Sequence, residues 1–315
     1  MTTSTAAGVL EFFEIPVMFH SICSSFRFLN IIGGLLTLLA ALILPGCSAV
    51  KLTYNNAPDL VYWWLDSYMD FDSAQATRVR ADLLALLAWH RKNELPAYGG
   101  ALENLQRLAP TNVTPEQLCG AYHDFKPRLQ ALLDQTAPTV AALSPLFTPE
   151  QLTHLTRQLE KRSIKWRQEW LDGTPAERSA RRVKQLADRA EYFYGRLEEP
   201  QMAILRASVA SSAFDPAIHQ RESLRRHQDT LQTLQRLQGD NGTPAQRQTE
   251  ARALLARALN SPDTSYRNYQ EKMDQENCKT FATLHNSTTS AQRVKVVEAL
   301  KDYNTDIRTL MATPR

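Results

Sequence analysis

The pentapeptide Thr-Pro-Glu-Gln-Leu occurs twice in this 315-residue chain, at residues 114–118 and 148–152. Thr as an N-cap residue accepts a hydrogen bond from a first-turn amide, and Pro at the first helical position lacks only a donor that would be unpaired anyway. Glu complements the helix dipole, and Gln three residues after the cap can bond back to the cap backbone. We therefore interpret the repeated stretch as architecture, a capping box that starts a helix.

Looser copies of the same box predict further helix starts. Their cap residues, each followed three residues later by Gln or Glu, are Asp72, Thr174, Thr243 and Thr289. Asp215-Pro216 and Ser261-Pro262 predict two more starts. Glycine-containing stretches at 171–173 and 238–242 mark stops between helices.

Apolar residues recur at helical spacing between these starts, as in Leu152, Leu155 and Leu159, and alternating strand patterns are absent from the sequence. The predicted fold class is all-α, a multi-helix bundle of long amphipathic helices. Pro96, Pro127 and Pro138 are expected to kink or split the helices that contain them. The predicted helices lie near residues 58–70, 74–107, 115–144, 149–172, 175–196, 216–237, 244–259, 263–286 and 290–311.

The N-terminal segment has the features of an export signal. An apolar run at residues 28–45 is followed by Gly46-Cys47, and Leu44-Pro45-Gly46-Cys47 resembles the bacterial lipobox. The resemblance implies removal of residues 1–46 and acylation of Cys47 with palmitate-like chains. The alternative is an uncleaved membrane anchor, because the run is long enough to span a bilayer. We favour the lipoprotein, since it explains a cysteine at this boundary.

The predicted segment boundaries follow from this signal. Residues 1–17 carry Glu11 and Glu14 but no basic residue, whereas a start at Met18 places Arg27 before the apolar run, so we predict translation from Met18. Residues 47–57 form a lipidated tether and residues 58–315 a helical domain, with a division into two subdomains near 213–242 as one option. Ser48 resembles the residue that sends enterobacterial lipoproteins to the outer membrane, facing the periplasm, and disfavours retention on the inner membrane.

The expected chemical state of the four cysteines follows from export to the periplasm. Cys23 would leave with the signal and Cys47 would carry lipid, so Cys119 and Cys278 would remain in an oxidising space. Two alternatives stay open for this pair. They form a disulfide that closes a long loop, or they are two unrelated buried thiols.

Three blocks of the mature sequence resemble a known family. They are YNNAPDLVYWWLDSYMDFDSAQ, LLAWHRKNELPAYGGAL and EKRSIKWRQEWLDGTPAERSARRVKQLADRAEYFYGRL. Behind a lipobox, they resemble the bacterial lipoproteins grouped as DUF6279, a family without an assigned activity, so no catalytic residue carries over. The stretch Phe-Thr-Pro-Glu-Gln at 147–151 also resembles the L-T-x-x-Q motif of the small periplasmic chaperones related to Spy and CpxP.

Composition and motifs give no sign of catalysis. The chain has 36 basic and 33 acidic residues, so no strong basic field indicates a nucleic-acid partner. The seven histidines form no H-E-x-x-H or other metal-ligand spacing, and neither G-x-S-x-G nor a phosphate-cradling glycine loop occurs. We predict no catalytic residues, no metal and no cofactor.

A basic run with two tryptophans is the candidate binding surface. If the two consecutive helices that carry it packed antiparallel, they would form a groove for a phosphate-rich or carboxylate-rich partner. The alternative is a solvated face balanced by neighbouring glutamates. The residues are Lys161, Arg162, Lys165, Trp166, Arg167, Trp170, Arg178, Arg181 and Arg182.

The function predicted from the sequence is that of a lipid-anchored, periplasm-facing envelope protein with a structural or interaction role. Its partners would be membrane lipid, through Cys47, and an envelope polymer or protein. A chaperone or holdase of the Spy and CpxP kind is an alternative, and an enzyme acting on envelope components is a second. The sequence leaves the oligomeric state and the partner open.

Overall fold

The computed structural model describes residues 49–239 and 242–312, and within that part all regular structure is helical. The predicted all-α bundle is confirmed. The predicted signal peptide and the lipidation residue Cys47 lie outside the described residues. None of the described helices is both long enough and apolar enough to cross a bilayer.

Most of the predicted helices are present, but the two longest predictions are each divided in two. The stretch predicted as 74–107 breaks at Glu94, just before Leu95-Pro96, and the stretch predicted as 115–144 breaks before Lys126-Pro127. Proline removes a backbone donor and crowds the preceding turn, so both helices restart there. In chain order the helices are α1 (Ala49–Asn55), α2 (Ala57–Met69), α3 (Ser73–Asn93), α4 (Leu95–Leu108), α5 (Pro115–His123), α6 (Lys126–Leu143), α7 (Pro149–Trp170), α8 (Pro175–Tyr194), α9 (Glu199–Ser211), α10 (Pro216–Leu237), α11 (Pro244–Leu259), α12 (Thr264–Asn286) and α13 (Ser290–Ala312).

Four details differ from the sequence prediction. Helix α1 occupies most of the stretch predicted as a tether, and α9 was not predicted at all. Pro138 lies inside α6, which continues to Leu143. The start predicted at Ser261 is wrong, because α12 begins at Thr264 with Asp263 as its cap. The Ser261 hydroxyl instead accepts from the Asp263 amide at 3.2 Å and donates to Glu222 at 3.0 Å.

The six predicted capping boxes all form. At Thr114, for example, the hydroxyl accepts from the Gln117 amide at 3.3 Å, and the Gln117 side chain accepts from the Thr114 amide at 2.8 Å. The architectural interpretation of the repeated pentapeptide is therefore confirmed. The other five boxes begin at Asp72, Thr148, Thr174, Thr243 and Thr289.

Four of the capping glutamines have a second role, because they pair across the structure. Gln75 and Gln151 exchange hydrogen bonds between their side-chain amides, at 3.2 and 2.6 Å. Gln201 and Gln292 form the same exchange at 2.7 and 3.0 Å. Each amide also donates to the carbonyl five residues before its partner, those of Asp70, Leu146, Arg196 and Ser287. Each pair therefore joins the N-terminal ends of two helices by hydrogen bonds.

The two glutamine pairs are part of an internal repeat of six helices. In residues 57–170, α2 packs on α3 and α7, and α3 packs on α6. In residues 175–312, α8 packs on α9 and α13, and α9 packs on α12. The glutamine pairs lie at equivalent helix starts, α3 with α7 and α9 with α13. The second repeat therefore reproduces these helix contacts of the first, with helices of different lengths.

The middle two helices of each repeat are exchanged between the repeats. Helices α4 and α5 pack on α13 and α12, whereas α10 and α11 pack on α7 and α6. The core of the first repeat accordingly contains Leu234 of α10 beside Leu155 and Leu159. Segment 213–242, where the sequence suggested a meeting of subdomains, is mainly the exchanged helix α10. This exchange is what brings α7 and α10 together at the site described below.

A disulfide joins two of these exchanged partners. Cys119 of α5 is bonded to Cys278 of α12, with their Cα atoms 5.5 Å apart and the two residues 159 positions apart in sequence. That Cα separation lies in the usual range for disulfides. The bond fastens α5, a helix without a buried residue, to the second repeat.

Replacing a paired glutamine should lower the free energy of unfolding much more than replacing an unpaired one. Gln201 is 1% exposed, so Gln201→Leu removes its own cap and both hydrogen bonds of the exchange. The buried Gln292 amide then keeps its bond to the Arg196 carbonyl, but its second N–H has lost its acceptor. We expect a loss of about 2–3 kcal/mol in the free energy of unfolding, measured by urea denaturation. Gln117→Leu is the matched control, because Gln117 caps α5 in the same way but is exposed. Equal losses in both variants would contradict a role for the glutamine pair.

Candidate functional site

The predicted basic run is divided between two different surroundings. Helix α7 packs on α2 and α10, whereas α8 packs on α9 and α13. The groove that antiparallel packing of α7 on α8 would form is therefore not present, and that hypothesis is wrong. The exchange of helices explains this, since it gives α7 the neighbour α10 from further along the chain.

Two of the three predicted arginines of α8 hold local structure. Arg178 donates to the carbonyls of Leu171 and Gly173, at 3.1 and 2.7 Å, which secures the turn between α7 and α8. The Arg182 guanidinium lies 4.0 Å from the centroid of the Phe214 ring and donates to the Ser212 hydroxyl at 3.4 Å. Arg181 has one buried guanidinium nitrogen without a hydrogen-bond partner in the described chain. These three residues lie outside the cleft of α7.

The basic residues of α7 line a cleft against α10. Arg162, Lys165 and Trp166 form one wall together with Ser163 and Glu169. Gln220 and Ser223 of α10 form the other. Of the remaining predicted residues of α7, Lys161 and Arg167 are exposed outside this lining, and Trp170 is buried. The contribution of α10 could not be predicted, because nothing in its local sequence marks it as the neighbour of α7.

Aromatic rings close the inner end of the cleft. Trp166 stacks on Trp170 with ring centroids 5.4 Å apart, and Trp170 meets Phe214 edge-on at 6.0 Å. His219 of α10 lies 6.3 Å from Trp166 and contacts the rings of Tyr266 and Tyr269 on α12. Aromatic pairs in these arrangements add to the free energy gained from burial. They make the end of the cleft a packed junction of α7, α10 and α12.

Both histidines of α10 near the cleft are neutral at physiological pH. Burial, helped by Arg226 and Arg182, lowers the pKa of His219 to about 4. Burial, helped by Arg162 and Arg226, lowers the pKa of His227 to about 4. The positive charge of the cleft therefore comes from arginine and lysine, and it does not change over the range in which an ordinary histidine titrates.

His227 contacts two serines but is not part of a complete catalytic triad. Its ring nitrogens lie 3.5 Å from the Ser163 hydroxyl and 3.4 Å from the Ser223 hydroxyl. In the described chain no carboxylate hydrogen-bonds His227, so the residue that would fix its tautomer in a triad is not present there. What the cleft offers is two cations, Arg162 and Lys165, beside the single carboxylate of Glu169, together with hydrogen-bond donors. Among the described residues there is also no group of three His, Cys, Asp or Glu side chains arranged to hold a metal ion.

The family model with the description "Family of unknown function (DUF6279)" matches residues 67–267. The chain belongs to the DUF6279 family. The family prediction made from the sequence is confirmed. No curated protein and no solved structure matches this DUF6279 protein.

The matched range shows which features of this DUF6279 protein fall within the family model. It includes all the residues that line the cleft, from Arg162 to Ser223, and Cys119. Cys47, Cys278 and α13 lie outside it. The cleft therefore lies within the region that the family model matches, whereas the description of the family assigns no activity.

Proposed function

We propose that this DUF6279 protein is a lipid-anchored envelope protein that faces the periplasm and has an interaction role. The observation that carries the proposal is the lipobox-like sequence at residues 44–47, followed by helix α1 from Ala49. Acylation of Cys47 would hold the helical bundle next to the bilayer without a spanning segment. Ser48 supports placement in the outer membrane, and the Cys119–Cys278 disulfide suits an oxidising compartment.

The interaction role is supported by the kind of surface that the bundle presents. The cleft between α7 and α10 offers cations and donors, as a site for an anionic partner requires. Large exposed apolar side chains are instead distributed over many helices, with examples in Leu52, Leu84 and Tyr192. Scattered apolar residues of this kind are ordinary in soluble domains, and they favour one polar cleft over a broad apolar surface for unfolded chains.

Cys47→Ser tests the anchor. Without the thiol no acyl group can be attached, so we expect the protein to leave the outer-membrane fraction and to accumulate as an uncleaved precursor, as wild type should in globomycin. Fractionation and mass spectrometry of the N-terminus measure both effects. Cys23→Ser is the matched control and should behave as wild type. The proposal would be overturned if the Cys47→Ser protein were found in the outer-membrane fraction with the same N-terminus as wild type.

A further inference from the structure

The internal repeat provides a comparison for the α7–α10 cleft within the same molecule. Helix α13 is the copy of α7, and it packs on α4 as α7 packs on α10. Counted from the paired glutamines Gln151 and Gln292, the copies of Arg162, Lys165 and Trp166 are Tyr303, Asp306 and Ile307. The basic character of the cleft is therefore confined to one of the two repeats.

The copy of the cleft is closed by packing and by paired charges. A side chain at Gly99 of α4 would meet Ile307 at 3.7 Å, which shows how closely α4 approaches α13. Asp306 is 6% exposed and forms an ion pair with Lys51 at 3.3 Å, and Leu310 is 3% exposed. Packing alone thus does not require cations at this junction. The equivalent junction packs without counterparts of Arg162 and Lys165, and Arg162 contacts α2 through its bond to the Tyr68 hydroxyl at 3.4 Å.

Around the α7–α10 cleft, buried donors exceed the available acceptors. Six buried side-chain atoms of the described chain have no hydrogen-bond partner, and three of them are Trp166 Nε1, His219 Nε2 and Arg226 Nη2. Indole and guanidinium nitrogens can only donate. The nearest buried carboxylate, Glu222, is already occupied by Arg225, Arg226 and Ser261. Of these three atoms only Trp166 Nε1 belongs to a residue that lines the cleft. Buried donors normally have partners, so the unpaired indole N–H points to an external acceptor held there.

We infer that the cleft between α7 and α10 is a binding site for the phosphate group of a phosphate monoester. Arg162 and Lys165 supply two positive charges against the one negative charge of Glu169, and the Trp166 indole together with the Ser223 hydroxyl supplies neutral donors. A phosphate offers three terminal oxygens to this set, whereas a carboxylate offers two. Gln220 completes the wall on α10. The inference names the chemistry of the envelope partner and so rests on the proposed function, but binding is measurable wherever the protein resides.

Calorimetric titration of the purified full-length protein tests the site. The probes are glucose 1-phosphate, inorganic phosphate and vesicles containing phosphatidic acid, all at constant ionic strength, with acetate as the carboxylate comparison. We expect saturable binding of the phosphate probes and about tenfold weaker binding of acetate. If the sugar phosphate binds most tightly, the phosphate group that the cleft recognises belongs to a glycan. If the vesicles bind most tightly, it belongs to a lipid. Both results support the phosphate site.

Two charge-matched double variants separate this site from general electrostatics. Arg162→Gln/Lys165→Gln should weaken binding by about tenfold, whereas Lys161→Gln/Arg167→Gln, on the exposed part of the same helix, should change it by less than about twofold. Trp166→Phe keeps an aromatic ring, although a smaller one, removes the N–H and should weaken binding by about threefold. Circular dichroism melting checks that each variant is folded. Equal weakening by both doubles, tighter binding of acetate, or no saturable binding would overturn the inference, while the Cys47→Ser result would stand.

Discussion

Glu222→Leu is expected to lower the free energy of unfolding by about 3–5 kcal/mol, because it leaves a buried arginine without its counter-charge. Glu222 is 5% exposed and Arg226 is 3% exposed, with the Arg226 Nε donating to Glu222 at 2.9 Å. Arg225 donates to both carboxylate oxygens, and Ser261 adds a fourth donor at 3.0 Å. Urea denaturation followed by circular dichroism measures the loss.

A second variant distinguishes loss of the counter-charge from loss of side-chain packing. Glu222→Leu/Arg226→Met removes both charges with apolar side chains of similar length, so it should recover a large part of the stability that Glu222→Leu loses. Asp188→Asn is the control, since the Lys184–Asp188 pair on α8 is exposed and such pairs contribute little. If the double variant were no more stable than Glu222→Leu, the buried charge would not be the cause.

The helix starts were predictable because capping is local. Each cap bond joins residues two or three apart, so a box read from the sequence contains all of its own partners, as at Thr148 and Gln151. Helix α9 escaped prediction because its cap is Glu198, which is not a preferred N-cap residue. The pairing of Gln201 with Gln292 joins residues 91 apart, and no local pattern separates this glutamine from the unpaired Gln117.

Only the α7 wall of the cleft could be predicted, because the opposite wall depends on contacts between residues far apart in the sequence. Clustered charge and tryptophan identified Arg162, Lys165 and Trp166 on α7. The opposite wall, Gln220 and Ser223, depends on the exchange of helices between the repeats, which is a property of the tertiary structure. Consecutive helices usually pack together, so α8 was the expected neighbour of α7. The arginines of α8 were grouped with the site on that basis, but in the structure they lie outside the cleft.

Reduction of the disulfide should have an effect as large as that of Glu222→Leu. The bond joins residues 159 apart, and on the chain-entropy model a loop of that length restricts the unfolded chain by about 5 kcal/mol, although measured values are often smaller. We therefore expect dithiothreitol to lower the free energy of unfolding by about 3–5 kcal/mol. Cys119→Ser/Cys278→Ser should match the reduced wild type and should not respond to dithiothreitol, which controls for other effects of the reagent.

The stability lost on reduction of the disulfide should also appear locally, as faster hydrogen exchange in α5. This helix has nine residues, none of them buried, and besides a small contact with α6 two main connections hold it to the rest of the structure. One is its packing on α12, and the other is the bond from Cys119 to Cys278. Hydrogen exchange at residues 115–123 should therefore accelerate after reduction more than exchange in α7, whose leucines are in the core. A thiol assay that found both cysteines free in the unfolded, unreduced protein would contradict the bond, and unchanged exchange in α5 would contradict its structural role.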